Sequence, residues 1–457
     1  MKKLLFLTMA IIMLTGGHLF SQEKTWSLEE CIKYAIDNNI SIKQQVIQTE
    51  YQQNTLDQSK LNLLPTLNGQ ASQNYSFNRT LDQNSYQYVN QNGRSNQFYL
   101  GGNLNLFNGL QNYNTIRKNK YQLMASEFDL QTIKDNISLS IALAYLQILL
   151  NNELVTATSQ QFQISKDQIE KTRKMFEAGS VAKGSLLQIE SQAASEELQL
   201  VNLENQRDIS YLTLTQMLEL KTPEGFKIEI PSISVDTNSI IDGRVEDIFA
   251  QAQGLRPEIK SAETNLSASE LGLKIARGGR SPQLSMSHSA STGYSSVRKK
   301  AIIDPLTSTI TYSDYSFSEQ VKDNKGYGLG FSLSIPILNG WMVNKNIANS
   351  KLSIENYRYT LEAQKKTLYK NIQQAYADAV ASLKKYSAST KAVAYSEESF
   401  RYMQQKFDLS MVTPVDYNTA KTELLKAQSD MSQAKYEYIF KTKVLDFYKG
   451  LPLNLNQ

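Results

Sequence analysis

Apolar positions along this chain follow two different periods, and the switch between them occurs twice. Phe98, Leu100, Leu104 and Leu106 share one parity while Gln97, Asn103 and Asn105 share the other. Leu329, Phe331, Leu333, Ile335 and Ile337 likewise alternate with Gly328, Gly330, Ser332 and Ser334. Leu67, Ala71, Tyr75 and Phe77 oppose Asn68, Gln70, Ser72, Asn74 and Ser76, and Leu284 and Met286 oppose Ser285 and Ser287. A period of two with one apolar and one small polar face predicts strands lying between two different media. The expected strands run over about 66–78, 96–107, 283–296 and 326–337.

After Asn108-Gly109 and Asn339-Gly340 the period becomes seven. Ile141, Ile148, Val155, Phe162, Ile169 and Phe176 form one stripe, and Ile372, Ala379, Tyr386, Val393, Phe400 and Phe407 form the other. Heptads sustained for so long predict coiled-coil helices over about 108–176 and 339–407. At 1.5 Å rise, ~69 residues would extend about 100 Å. Breaks near 177–183 and 408–414 then turn the chain into returning helices, about 183–220 and 414–449, the second opening on Pro414. Shorter helices come first in each half, and Pro65 and Pro282 stop them because proline lacks the amide donor and clashes with the preceding turn.

The two halves are read as copies of one unit. Leu106-Phe107-Asn108-Gly109 recurs as Ile337-Leu338-Asn339-Gly340, and Ala144-Tyr145 as Ala375-Tyr376, both at an offset of 231. Leu64-Pro65-Thr66-Leu67 matches Ser281-Pro282-Gln283-Leu284 at 217, which places an insertion of 14 residues in the second copy. The expected organisation is a signal peptide at 1–21, repeat 1 at 22–221, a linker at 222–243, repeat 2 at 244–449 and a tail at 450–457. Lys2 and Lys3 before the apolar run Leu4–Leu14 carry the signal reading; the run is too short to span a bilayer.

Composition removes several function classes. With 48 Lys or Arg against 44 Asp or Glu, the charge balance gives no footprint for nucleic acid. One Cys (Cys31) and two His (His18, His288) leave no material for a disulfide, a thiolate cluster, a His-based triad or a multi-His metal site. No phosphate-binding glycine loop or nucleophile–base set is found, so the reading is not an enzyme, without cofactor or metal. No later stretch reads as a transmembrane helix; the most apolar one, Ile137–Leu150, is short and lies inside the heptad pattern. If the protein enters a membrane, it does so by strands. Four strands cannot close a barrel, since the smallest use about eight, and an open edge in lipid leaves amides unbonded. Strands in lipid therefore require several copies. Phe98, Leu100, Leu104, Leu106, Leu329, Phe331, Leu333 and Ile335 would then face lipid, and Asn103, Asn105, Ser332 and Ser334 a wet lumen. Tyr-rich strand ends and Trp341 fit aromatic girdles, and the polar segments Asn78–Asn96 and Val297–Lys325 fit loops outside the membrane. His288, on the apolar parity, is read as an interfacial or strand-end residue rather than a ligand.

Three motifs in this order carry a family resemblance: Leu-Pro-x-Leu at 64–67, Leu-Phe-Asn-Gly at 106–109, and Phe-Glu-Ala-Gly-Ser-Val-Ala-Lys-Gly-Ser-Leu-Leu at 176–187. Over essentially the whole mature chain the layout resembles the TolC family of outer-membrane efflux proteins. The resemblance implies a mixed fold of α-helices and transmembrane β-strands. Long antiparallel coiled-coil helices would form an α-barrel, and four strands per chain would contribute to a shared twelve-stranded barrel in a homotrimer. The number three comes from the resemblance alone. It also implies an outer-membrane location extending into the periplasm, and partnership with a periplasmic adaptor and an inner-membrane pump. The turns Gly179-Ser180-Val181 and Ser410-Met411-Val412 resemble the family's adaptor-contact tips, although Ser410 stands where glycine is usual. Gly179 reads equally as a helix C-cap. Asp416 falls where the family often carries an acid near the tunnel constriction, with Ser185 and Thr419 beside it; the other reading is an acid favoured in a helix's first turn. The expected function is the passive exit duct of a tripartite efflux or secretion system, its cargo left open. The rival is a soluble or surface coiled-coil scaffold without channel activity.

Overall fold

The computed structural model describes residues 25–81, 86–231, 243–305, 308–409 and 411–455. The expected signal peptide, nearly all of the second half of the expected linker and Ser410 lie outside them. The chain divides into two compact units: Met1–Ile47, Phe128–Lys260 and Gln364–Gln457 form one, Gln48–Glu127 and Ser261–Ala363 the other.

In chain order the elements are β1 (Thr25–Trp26), α1 (Leu28–Asn38), α2 (Ile40–Leu61), β2 (Asn68–Leu81), β3 (Tyr88–Phe107), α3 (Gln111–Glu177) and α4 (Lys183–Met217). β4 (Lys227–Ile228), α5 (Val245–Leu255), α6 (Pro257–Gly278), β5 (Gln283–Ser295), β6 (Lys299–Ile303) and β7 (Ile310–Asp314) follow. The chain then forms α7 (Phe317–Asp323), β8 (Gly326–Ser334), α8 (Met342–Asp408) and α9 (Pro414–Tyr448). The long helices match in length: α3 and α8 have 67 residues each, α4 and α9 35 each.

The first unit is built on the apolar stripe of α3. Ile141, Tyr145, Ile148 and Leu149 are buried against Leu28, Cys31 and Ala35 of α1, Leu214 of α4, and Tyr436 and Ile439 of α9. Cys31 is wholly buried in that core, outside any disulfide. By length and composition α3 alone, among the described residues, could cross a membrane, which the sequence pattern did not suggest. Its apolar residues are instead the centre of this core. The Tyr145 hydroxyl bonds the carbonyls of Trp26 and Glu229, at 3.1 and 2.6 Å, tying α3 to the small parallel β1–β4 pair. At the helix start, Ser27 Oγ accepts the Glu30 amide and the Glu30 carboxylate accepts the Ser27 amide, a reciprocal cap.

The second unit holds an antiparallel sheet in the order β2-β3-β5-β8. β3 begins eight residues earlier than the alternation suggested, because Leu81↔Tyr88 through Ser76↔Gly93 continue the β2–β3 ladder. Residues 78–96 are therefore mostly hairpin rather than loop. The other segment assigned to a loop folds into β6, β7 and α7. β8 ends at Ser334 instead of about 337, and Pro336, lacking an amide donor, explains the stop. Ile335 and Ile337 thus lie beyond the strand. At the other end of the sheet, Thr66 crosses β3, its amide donating to the Asn103 carbonyl at 2.9 Å. A Cβ on Gly102 would sit 1.7 Å from the Thr66 carbonyl oxygen. Gly102→Ala should therefore displace this junction and cost about 1–3 kcal/mol, read as a lowered thermal midpoint; an unchanged midpoint removes the steric argument.

Candidate functional site

The sheet places the alternating residues on two chemically opposite faces. Pairing carries Asn103 to Ser287 and Asn105 to Ser285, then Ser285 to Ser332, with Gln283 opposite Ser334. All four expected polar residues therefore share one face, together with Gly328 and Gly330. The opposite face joins Phe98 to Thr292, Leu100 to Ala290, and Leu104 through Met286 to Phe331. Leu333 lies opposite Leu284, and Leu329 opposite His288. His288 is thus mid-strand on the apolar face, not at a strand end. Leu106 departs from the pattern: a bulge between Asn105 and Phe107 leaves it without a pair and sets Phe107 opposite Leu284. The apolar row is open to the surroundings, with Leu329, Phe331 and Leu333 all above 60% exposed. Trp341 is 73% exposed and lies just before α8, with left-handed backbone.

In the helical unit, the two hairpin ends meet. Val181 and Ser185 of the first and Val412 and Pro414 of the second line one cavity of about 110 Å³. Beside it Lys171 of α3 pairs with Asp408 of α8 at 2.6 Å. Gly179 has a left-handed φ of +74°, and the Ser180 amide reaches the Met175 carbonyl at 2.8 Å, closing α3 as a C-cap. A Cβ there would meet nothing within 4 Å, so the position is open as well as capped. The Met411 amide reaches the Lys406 carbonyl at the same 2.8 Å. Asp416 caps α9: its carboxylate accepts the Thr413 amide at 3.1 Å and the Thr413 hydroxyl at 2.7 Å. Thr419 spends its hydroxyl on the Val415 carbonyl and lines, with Asn418 and Gln188, a groove between α4 and α9. No described residues group to hold a metal ion.

The sequence pattern missed a polar cluster one level further from the tips. Lys421 of α9 donates to both carboxylate oxygens of Glu196 in α4, at 3.0 and 3.1 Å, to the Gln161 carbonyl at 3.2 Å and to Ser165 Oγ. The side chains of the pair are 2% and 4% exposed. Its signal was a second stripe of seven on α3, Asn151, Thr158, Ser165 and Thr172, each buried. Tyr417 stacks on Phe407 at 4.7 Å, and burial pushes its hydroxyl up to about 12.

Two carboxylates here make the helical unit acid-sensitive. Hydrogen bonds from Lys441 hold Asp378 below its ordinary 3.8, and those from Thr413 do the same for Asp416. Depressed folded values mean stabilisation that is present above 3.8 and is lost as pH falls through them. The gap in thermal midpoint between parent and Asp378→Asn should accordingly close on acidification; a gap constant with pH removes the assignment.

The chain was compared with known proteins. The profile of the family described as outer membrane efflux protein matches residues 31–219 and 248–446. The outer membrane protein TolC of Escherichia coli K12 is 22% identical over 367 residues, 75% of this chain and 72% of that one. The solved Campylobacter jejuni CmeC outer membrane channel superposes with a TM-score of 0.75 at 18% identity, covering 95% of this chain and 91% of that one. VceC, an outer membrane protein of Vibrio cholerae, gives 0.74 at 16% identity, covering 93% and 96%.

Proposed function

The chain belongs to the outer membrane efflux protein family, and on that premise we propose that it is the passive outer-membrane exit duct of a tripartite export machine. It is an outer-membrane channel extending into the periplasm; membership of the family sets aside a scaffold without channel activity. The observation that carries the mechanism is the sheet, with two opposite faces and two open edges, β2 and β8. In hydrocarbon an unpaired edge has no water to bond, so such a sheet is stable only in a closed ring. Pairing β8 of one copy with β2 of the next closes it, and three copies supply twelve strands. The row Phe98, Leu100, Leu104, Leu329, Phe331 and Leu333 then meets lipid, while Asn103, Asn105, Ser332 and Ser334 line the aqueous lumen.

The helices continue the conduit as an α-barrel. Gly179, Ser180, Val181, Met411 and Val412 would meet a periplasmic adaptor, which bridges to an inner-membrane pump; Ser410 belongs to the same tip by sequence. Ser185, Asp416 and Thr419 would set the constriction, Asp416 through the cap that fixes its direction. The equal helix lengths and the two matched stretches support an origin by internal duplication. Cargo would be selected by the pump.

Reconstituted in a planar bilayer, the purified protein should pass ions through a persistent pore and run on unboiled SDS-PAGE as an oligomer. Monomeric protein without conductance would end this reading. Gly179→Trp should weaken export coupled to the adaptor while leaving the oligomer band intact. Unchanged export would remove the tip from docking.

A further inference from the structure

The apolar face of the sheet is not uniform. Next to α7 it sinks into a shallow groove of about 540 Å³, bounded by Phe98, Leu100 and Tyr327. Its floor is made of the small residues Gly69, Ala71 and Ala290, which oppose Leu100, Phe98 and Tyr327 in the ladders. Gln70, Tyr99, Ser291 and Thr292 also line it, and the Thr292 hydroxyl, on the apolar face, is spent on the Val321 carbonyl of α7 at 2.7 Å. The small residues of the floor therefore present mostly hydrocarbon.

One end of the groove is cationic. Lys325 lines it, is exposed, and has no ion pair among the described residues; Lys322 is exposed one turn earlier. Nearby acids are occupied, Glu319 by Lys300 at 3.2 Å and Asp323 by the Tyr315 hydroxyl at 2.8 Å. Lys325 immediately precedes β8, whose 9 residues match the length of a tilted strand crossing the hydrocarbon core. The other end of β8 leads to the helices. The ammonium thus falls at the outer boundary of the hydrocarbon, where headgroup phosphates lie.

α7 holds this boundary in place. The buried Gln320 side chain accepts the Ser295 amide at 3.0 Å and donates to the Ser295 carbonyl at 3.0 Å, imitating a strand partner where β8 has not yet begun. Asn324 donates to the Gly293 carbonyl at 2.7 Å, and Phe317 meets Phe98 edge-on with centroids 6.4 Å apart. Fixed by these four contacts, α7 borders the groove where Thr292 bonds the Val321 carbonyl, and so sets that end at one depth.

We propose that this groove binds an acyl chain of a phosphorylated glycolipid of the outer leaflet, with Lys325 on its phosphate. The inference rests on the reading that the apolar row faces lipid, and it names the lipid. The assembly would be exchanged into nanodiscs containing bis-phosphorylated lipid A, its dephosphorylated form, or phosphatidylglycerol, and the lipid retained after repurification measured by native mass spectrometry. The parent should retain the phosphorylated glycolipid preferentially. Lys325→Gln should lower that retention roughly fivefold, the effect of one surface cation on an anionic lipid. Ala71→Phe, which fills the groove from the lipid side, should lower it as far with the unboiled oligomer band unchanged. Retention that is equal for the dephosphorylated glycolipid or for phosphatidylglycerol, or that both variants leave intact, overturns the assignment. Absence of any oligomer band for the parent would instead overturn the lipid-facing reading beneath it.

Discussion

Lys421→Met should destabilise the helical unit by about 3–5 kcal/mol, the cost of leaving a buried charge without its partner. Glu196 would be left at 3% exposure without its cation, keeping the bonds from Ser165 and Gln192. The double variant Lys421→Met/Glu196→Leu removes both charges and should return to within about 1 kcal/mol of the parent, since apolar replacement of a buried pair is often neutral. Thermal midpoints followed by circular dichroism distinguish the outcomes: equal losses in single and double variants would show packing, not charge, to be at stake. A pH dependence accompanies the pair. Burial pushes the Lys421 ammonium below its ordinary 10.5, with Glu196 opposing. The unfolded chain therefore holds the proton more firmly in that window, and stability should rise as pH climbs towards 10.5.

Leu104→Arg is the second large effect, about 2–4 kcal/mol against insertion at mid-bilayer depth. Leu104 lies between its neighbours on the apolar face, opposite Met286, which in turn pairs with Phe331. Asn103→Arg is the matched control, because one residue along the strand the side chain turns to the polar face. Membrane fractionation with unboiled SDS-PAGE should show assembly lost in the first variant and kept in the second. Equal assembly would mean that the two faces do not see different media. Ile335, just past the end of β8, is the poorer test position.

The parts of this fold that were legible from sequence are those in which side-chain pattern and packing coincide. Ile141 and Ile148 are completely buried, as are Ile372 and Ala379, because the stripe of seven is what the coiled coil buries. Opposite parities on β3, β5 and β8 did predict opposite faces, since pleating alone decides them. The upper β2–β3 ladder was illegible for the converse reason. Val89 to Arg94 are polar on both faces apart from Val89 and Gly93, and there the backbone pairs hold the ribbon without a patterned side. α7 has 7 residues, too few for a helical period to show. At Leu106 a bulge inserts one residue, so parity no longer decides its face there. Lys421 and Glu196 went unnoticed because long charged side chains are expected at surfaces, and only their mutual pairing permits burial. The tip cavity depended on Lys171 and Asp408, 237 residues apart, meeting in space.

The enclosed Cys31 also makes the protein convenient to watch at work. With its one native sulfhydryl shielded inside the packed helices, a spin label or fluorophore attached to a newly introduced surface cysteine would report from a single known address. Spacings between copies, and any widening at the periplasmic mouth during turnover, could then be followed by resonance spectroscopy without first stripping out background thiols.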